Sequence, residues 1–174
     1  MAKARWNVSQ RPEDTSLAPT TKVVLVGSGK GGVGKSSVTV NLAAAIAATG
    51  LRVGVLDADI WGFSVPRMLG VPGRLAATKT DDGKGRIAPN EKRIGPGLVK
   101  IVSTGNLVDD EGTALMWRGL MLAKAVEQFL RDVRWGDLDY LFIDMKQTGE
   151  IDLAEIRSSV AELLVAPRAT GVTG

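Results

Sequence analysis

The stretch Gly29-Lys30-Gly31-Gly32-Val33-Gly34-Lys35-Ser36 constrains this chain more than any other, because so many glycines ending in Lys-Ser suit very few backbone paths. Before it runs Val23-Val24-Leu25-Val26, a short β-branched apolar segment of the kind that forms a parallel strand buried on both faces. After it, Ser36 to Thr49 places Val38, Leu42, Ala45, Ile46 and Thr49 at helical spacing, and Gly50 supplies the stop. Strand, glycine turn and helix in that order form a phosphate cradle. Successive N–H groups turn inward, the lysine reaches the terminal phosphates and the serine hydroxyl can ligate Mg²⁺. The strand before and the helix after separate this reading from a glycine-rich chain reversal. The candidate nucleotide-binding residues are therefore Gly29, Lys30, Gly31, Gly32, Val33, Gly34, Lys35, Ser36 and Ser37. The helix N-terminus adds its unpaired amides and positive dipole end, worth roughly 0.3 to 2 kcal/mol toward an anion.

A second strand is expected at Arg52-Val53-Gly54-Val55-Leu56, closing on Asp57-Ala58-Asp59. A strand, one helix and a strand imply a right-handed parallel crossover, which brings both strand ends to the edge that carries the cradle. Asp57 and Asp59, two residues apart on an extended chain, then share a side. Both can address one Mg²⁺-nucleotide site, one through a metal-bound water and one by orienting the attacking water. Aspartates after a strand also serve as turn residues and helix caps, and both readings stand at this point. Tyr140-Leu141-Phe142-Ile143-Asp144 repeats the pattern of a buried strand ending in a carboxylate that suits a Mg²⁺ site. Leu122, Val126, Phe129 and Val133 mark an amphipathic helix over Leu115 to Arg134, and Leu98 to Val102 is one more strand. The order β-α-β, loop, β-α-β predicts a doubly wound, mostly parallel α/β sheet.

Hydrophobic residues make up 44% of the 174 and charged residues 24%, enough apolar surface for one sizeable core. No apolar run is long enough to span a membrane and the N-terminus has no secretory apolar stretch, so a cytoplasmic chain is expected with no membrane partner. The formal charge is only +3 and its location is diffuse, although residues 79–100 alone carry six basic residues against three acidic ones. Glycines and prolines punctuate that segment, so it reads as a long exposed loop. No aromatic residue interleaves its charges, and nucleic acid is not an expected partner. Residues 1–20 mix Pro, Ser, Thr and charges without periodicity and read as a flexible arm or linker. The nucleotide domain is expected over 21–165, with a tail at 166–174.

Taken together, GKGGVGKSS, VGVLDADIWGFSVPRMLG and LDYLFIDM resemble the Mrp/ApbC iron-sulfur cluster carrier ATPases, in the deviant P-loop group with MinD, ParA and the nitrogenase iron protein. The likeness runs from about Thr21 to Met145. It implies an ATP-hydrolysing homodimer in which Lys30 reaches the partner subunit's nucleotide while Lys35 serves its own. Asp59 would position the hydrolytic water, Asp57 would support it and Mg²⁺, Ser36 would ligate Mg²⁺, and Asp144 would hold a Mg²⁺-bound water. Lys30, Lys35 and Asp59 are thus the catalytic candidates, and Ser36, Asp57 and Asp144 the metal-site candidates. Iron-sulfur client proteins are the partners implied. Trp61, Phe63, Pro66, Arg67, Met68 and Leu69 resemble a first switch, or serve as core or dimer packing. Trp117 and Arg118 also look family-like.

The departures carry equal weight. Where the family reads Pro-Pro-Gly-Thr-Gly-Asp, this chain has Met145-Lys146-Gln147-Thr148-Gly149-Glu150, one residue shorter and without the prolines. Lys146 adds a positive charge where the resemblance puts Mg²⁺ and phosphate. Leu153, Ile156, Val160 and Leu163 mark a further helical face, after which the likeness fades. The family's Cys-x-x-Cys pair has no counterpart, because these residues include no cysteine, and thiolates are what hold such clusters. The resemblance therefore implies either a truncated or altered family product or one that has lost the cargo role. Since the first strand is central in that fold, an unpaired apolar strand edge is expected. The alternatives are a partitioning or positioning ATPase of the MinD or ParA kind, and a nucleotide-binding remnant without turnover.

Overall fold

A computed structural model describes residues 17, 18, 20–59, 64–72, 76–79, 85–103 and 120–145. In chain order the elements are β1 (Lys22–Val26), α1 (Lys35–Ala48), β2 (Arg52–Asp57), α2 (Ser64–Leu69), β3 (Ala76–Lys79), β4 (Gly85–Ala88), β5 (Asn90–Ile94), β6 (Gly97–Ser103), α3 (Leu120–Asp132) and β7 (Tyr140–Asp144). Trp61, Phe63, Trp117, Arg118 and Lys146, the segment 146–150, the helical face from Leu153 to Leu163 and the tail all lie outside the described residues.

Strand side chains alternate between two apolar layers, and that alternation builds the fold. Val53, Val55, Val99, Ile101 and Phe142 pack with Val40, Ala43 and Ala47 of α1. Leu56, Val102, Leu141 and Ile143 face the other way and pack with Val126, Phe129 and Leu130 of α3. A sheet covered on both faces explains why β2 and β7 read as unbroken apolar runs rather than alternating ones. The strand order is β1-β7-β2-β6-β5, with β1, β7, β2 and β6 parallel and β5 antiparallel to β6. The doubly wound, mostly parallel α/β sheet expected from the sequence is the one observed. β1 forms an edge, and its outer side has no partner strand among the described residues.

Three details differ from the sequence expectation. The buried residues of α1 are Thr39, Val40, Ala43 and Ala47, whereas Val38 and Leu42 are 52% and 45% exposed. Most of α1 is Ala, Val, Leu and Ile, so apolar residues occur on all sides and spacing alone could not identify the core-facing side. Second, residues 79–100 are largely strand: β4 pairs with β3 in a separate hairpin, and β5 joins the main sheet. Charged residues in β5 reflect its place at a sheet edge, where Glu91 and Arg93 point to water and alternate with half-buried Asn90, Lys92 and Ile94. Third, Leu17 belongs to the stretch read as an arm yet is 3% exposed, bridges to Gly136 and packs in the α3-side core. The Thr21 hydroxyl donates to the Leu138 carbonyl at 2.9 Å beside it. The packed body thus begins a few residues before Thr21.

Candidate functional site

Register fixes the site. Val26 of β1 pairs with Asp144 of β7, and Asp144 pairs with Asp57 of β2, so three strand ends lie on one rung. The Met145 amide donates to the Val26 carbonyl and the Ala58 amide to the Asp144 carbonyl, at 2.9 and 2.8 Å, which extends the ladder one step past the carboxylates. The glycine loop leaves β1 from the same edge, so the sheet itself brings Asp57 and Asp144 to the loop.

Gly32 and Gly34 adopt φ of 71° and 88°, the left-handed region where a β-carbon is strained. A β-carbon placed on Gly29, Gly32 or Gly34 would meet nothing within 4 Å, so these α-carbons border open space rather than packed protein. The Ser28 hydroxyl braces the turn by donating to the Lys30 carbonyl at 2.6 Å. Gly34 caps α1 without a side-chain hydrogen bond, and the first helical bond runs from the Val38 amide to the Gly34 carbonyl. The amides of Lys35, Ser36 and Ser37 therefore have no acceptor within the helix and point their donors toward the loop's concavity. Gly31, Val33 and Lys30 are exposed, with Val33 at 56%, while Lys35 and Ser36 are half-buried.

The two carboxylates at the strand ends differ in their hydrogen bonding. Asp57 is fully buried, and its oxygens accept from the Asp59 amide at 3.0 Å and the Val65 amide at 3.3 Å. It thereby ties the Asp59 turn to the first turn of α2, which is the turn and cap reading that the sequence left open. Burial raises its pKa to about 6. The Asp59 amide opposes that rise, Asp144 adds to it, the Val65 amide opposes it and the Asp59 carboxylate adds to it. Asp144 is 1% exposed, and neither of its carboxylate oxygens has a hydrogen-bond partner. Burial pushes its pKa up. The Ser36 hydroxyl beside it, which closes no hydrogen bond of ordinary geometry, and the Lys35 ammonium push it back, while Asp59 adds to the rise.

An orphaned buried carboxylate next to a serine hydroxyl and a lysine suits a Mg²⁺-phosphate group. Mg²⁺ keeps several waters and takes only one or two protein oxygens together with phosphate oxygens. Among the described residues no group of three or more Asp, Glu, His or Cys side chains has the spacing of an all-protein metal cage. Ser36 and Asp144 therefore fit the ion better than Asp57, whose two oxygens are already taken by backbone amides. The α2 anchor at Val65 was missed in the sequence, although Pro66 in the first turn of that helix marks where it starts.

The family description "ParA: NUBPL iron-transfer P-loop NTPase" matches residues 19–166. The chain belongs to that family. It is 50% identical over 144 residues to an iron-sulfur cluster carrier protein of Deinococcus radiodurans, covering 80% of this chain and 38% of that protein. It is 49% identical over 148 residues to one of Saccharolobus solfataricus, covering 84% of this chain and 44% of that protein. A solved nucleotide-binding protein from Archaeoglobus fulgidus, in complex with ADP, aligns with TM-score 0.61 and 33% identity over 87% of this chain and 53% of its own. The chain spans about two fifths of the length of these curated relatives and about half of that solved structure. Among the described residues no helix is long and apolar enough to cross a membrane.

One prediction arises from Asp57. Its carboxyl binds a proton more tightly in the folded chain, at about 6, than at its ordinary 3.8. The resulting stabilisation is fully present below about pH 4 and is lost as pH rises through about 6. It amounts to something on the order of 3 kcal/mol at about 1.4 kcal/mol per pKa unit. Urea unfolding of the nucleotide-free chain should show the stability gap between Asp57→Asn and the parent moving in the variant's favour between about pH 4 and pH 7. A gap independent of pH would show that Asp57 is not the titrating group.

Proposed function

We propose that this chain is the Mg²⁺-ATP-binding and hydrolysing module of an iron-sulfur cluster carrier protein. The observation that carries the reading is the shared rung of Val26, Asp144 and Asp57, which sets an unpartnered buried carboxylate beside Ser36 and Lys35 at the mouth of an open glycine loop. The amides of the loop and of the first turn of α1 bind the phosphate oxygens, and Lys35 reaches the terminal phosphates. Ser36 and Asp144 would hold Mg²⁺, Asp144 through a bound water. When present, the ion neutralises charge on the phosphates. Asp59 orients the attacking water, and its backbone is fixed for that task by Asp57. Lys30 is exposed on the loop, and in a homodimer it would reach the second copy's nucleotide.

The relatives are named iron-sulfur cluster carrier proteins, which supports an iron-sulfur cluster as the cargo, and client proteins would be its recipients. The 174 residues contain no cysteine, so thiolate ligation of that cluster lies outside them. The departure at Met145 to Glu150 favours one second reading, a nucleotide-binding form without turnover.

Calorimetric ATP titration with and without Mg²⁺ tests the assignment, alongside assay of ADP release. The parent should bind ATP more tightly with Mg²⁺ than without it. Asp144→Asn should lose most of that Mg²⁺ dependence, yet unfold at a higher denaturant concentration when nucleotide-free, because it removes a buried charge lacking partners. Equal Mg²⁺ enhancement in both would remove Asp144 from the metal site. Binding without ADP release would select the second reading.

A further inference from the structure

At the opposite end of the sheet from the glycine loop, a cleft of about 440 Å³ opens on the α3 side. Its walls come from the beginnings of β2 and β6, from β5, and from the turn at Gly136 and Asp137. Nothing in the nucleotide site uses it. β2 alone separates the two ends by roughly 17 Å at about 3.3 Å per residue.

The register places two arginines on one row of this cleft. Arg93 pairs with Leu98 and Leu98 pairs with Arg52, so the arginines flank Leu98 on neighbouring strands. Strand spacing of about 4.8 Å puts their α-carbons about 10 Å apart, close enough for two long side chains to converge over Leu98. They share a face with Leu56 and Val102, which pack in the α3-side core. α3 does not cover this end, and both arginines are exposed. Neither guanidinium has an ion-pair partner among the described residues.

The other cleft charges are largely committed. Lys100 donates to the Trp135 carbonyl at 2.8 Å and pairs with Glu91 at 3.6 Å, with its side chain 17% exposed. Glu91 is thereby partly neutralised, which leaves Asp137 at the lip and Asp139, whose carboxylate accepts from the Arg52 backbone amide at 2.8 Å, as the acids beside Arg52 and Arg93. With Glu91 paired to Lys100 and Asp139 engaged by a backbone amide, the two guanidinium groups over Leu98 are the cleft's available donors to an anion. Arginine's planar fork recognises phosphate and carboxylate groups bidentately, and the volume lies in the range of small-ligand sites.

We propose that Arg52 and Arg93 form an oxyanion site, separate from the nucleotide site, that takes the phosphate or carboxylate group of a small ligand. Inorganic phosphate and citrate are the probes, titrated into the full 174-residue chain while backbone amide resonances of Gly97, Leu98, Gly136 and Asp137 are followed. Saturable shifts at these amides are expected in the parent and in Lys35→Ala alike, since the glycine loop is not involved. Saturation by phosphate alone assigns a phosphate ligand, and by citrate alone a carboxylate one. Arg52→Gln/Arg93→Gln should weaken binding by about tenfold or more, as expected for loss of charge-assisted hydrogen bonds. Arg52→Lys, which keeps the charge but not the fork, should weaken it less and serves if the double variant does not fold. The proposal is overturned if neither probe shifts these amides saturably, if the arginine variants bind like the parent, or if Lys35→Ala abolishes the shifts.

Discussion

Lys35→Ala is expected to lower ATP turnover by about 10² to 10³ and to weaken Mg²⁺-ATP binding by about tenfold or more. The turnover figure is that of removing one preorganised donor from a developing charge. The binding figure follows from losing a charge-assisted hydrogen bond worth about 1.5 to 3 kcal/mol. Folding should barely notice. Lys35 is half-buried at the first residue of α1, and its contribution to the protein itself is the Coulombic support it gives Asp144. Loss of that support raises the Asp144 pKa further, so the buried carboxyl can take up a proton instead of standing as an unpaired charge, and with Lys35 itself partly solvated the cost should be about 1 kcal/mol or less. The decisive measurement is therefore a pair, calorimetric ATP affinity beside urea stability. Unchanged affinity with unchanged stability would remove Lys35 from the cradle. Reduced affinity with matching loss of stability would make the effect one of folding rather than of binding. Lys30→Ala separates the two lysines: in the homodimer reading it lowers turnover while leaving a single copy's affinity nearly intact.

Much of this site was legible because its signals are local. GKGGVGKSS is one continuous string, and its meaning depends only on a strand before it and a helix after it, both readable from a few neighbouring residues. The carboxylates at Asp57 and Asp144 were legible for a similar reason, since each closes an apolar run and parallel strands bring such ends to one edge. The roles of those two acids were not separable from sequence. Both follow buried strands, yet Asp57 meets two backbone amides while Asp144 meets none, and that difference arises from where α2 happens to return. The buried face of α1 was unreadable because Val38 and Leu42 compete with Val40 and Ala43 in a helix that is apolar nearly all round. The β5 edge strand was hidden by its charges. Glu91, Lys92 and Arg93 look like a solvated loop until β6 supplies the pairing that makes them a strand. Arg52 and Arg93 lie 41 positions apart, and only the register across β6 reveals that they share a row.

Gly97→Ala should be among the most destabilising single changes in the chain, although Gly97 is remote from every residue of the nucleotide site. A β-carbon there would fall 2.0 Å from the Ala47 carbonyl oxygen, 2.5 Å from that of Leu51 and 2.8 Å from the Ala47 carbonyl carbon. All three are backbone atoms, so no rotamer change can relieve the overlap. Relief requires β6 to move away from the end of α1 and the start of β2, which also strains the Leu98 amide's bond to the Leu51 carbonyl at 3.3 Å. Overpacking of this kind costs about 1 to 3 kcal/mol and occasionally more, a large share of a total that is typically about 5 to 15 kcal/mol. Gly29→Ala is the matched control: its β-carbon meets nothing within 4 Å, and stability should change by less than about 1 kcal/mol. The displaced contact sits at the C-terminal end of α1, whose N-terminus opens the proposed phosphate site, so on that reading folding and nucleotide binding are linked through α1. A ligand that binds only the folded chain restores stability by mass action, about 2.7 kcal/mol at a hundredfold excess over its dissociation constant. Saturating Mg²⁺-ATP should therefore raise the midpoint of Gly97→Ala substantially and do far less for Lys35→Ala. A Gly97→Ala protein as stable as its parent would mean that β6 and α1 do not approach as closely as the sheet register requires.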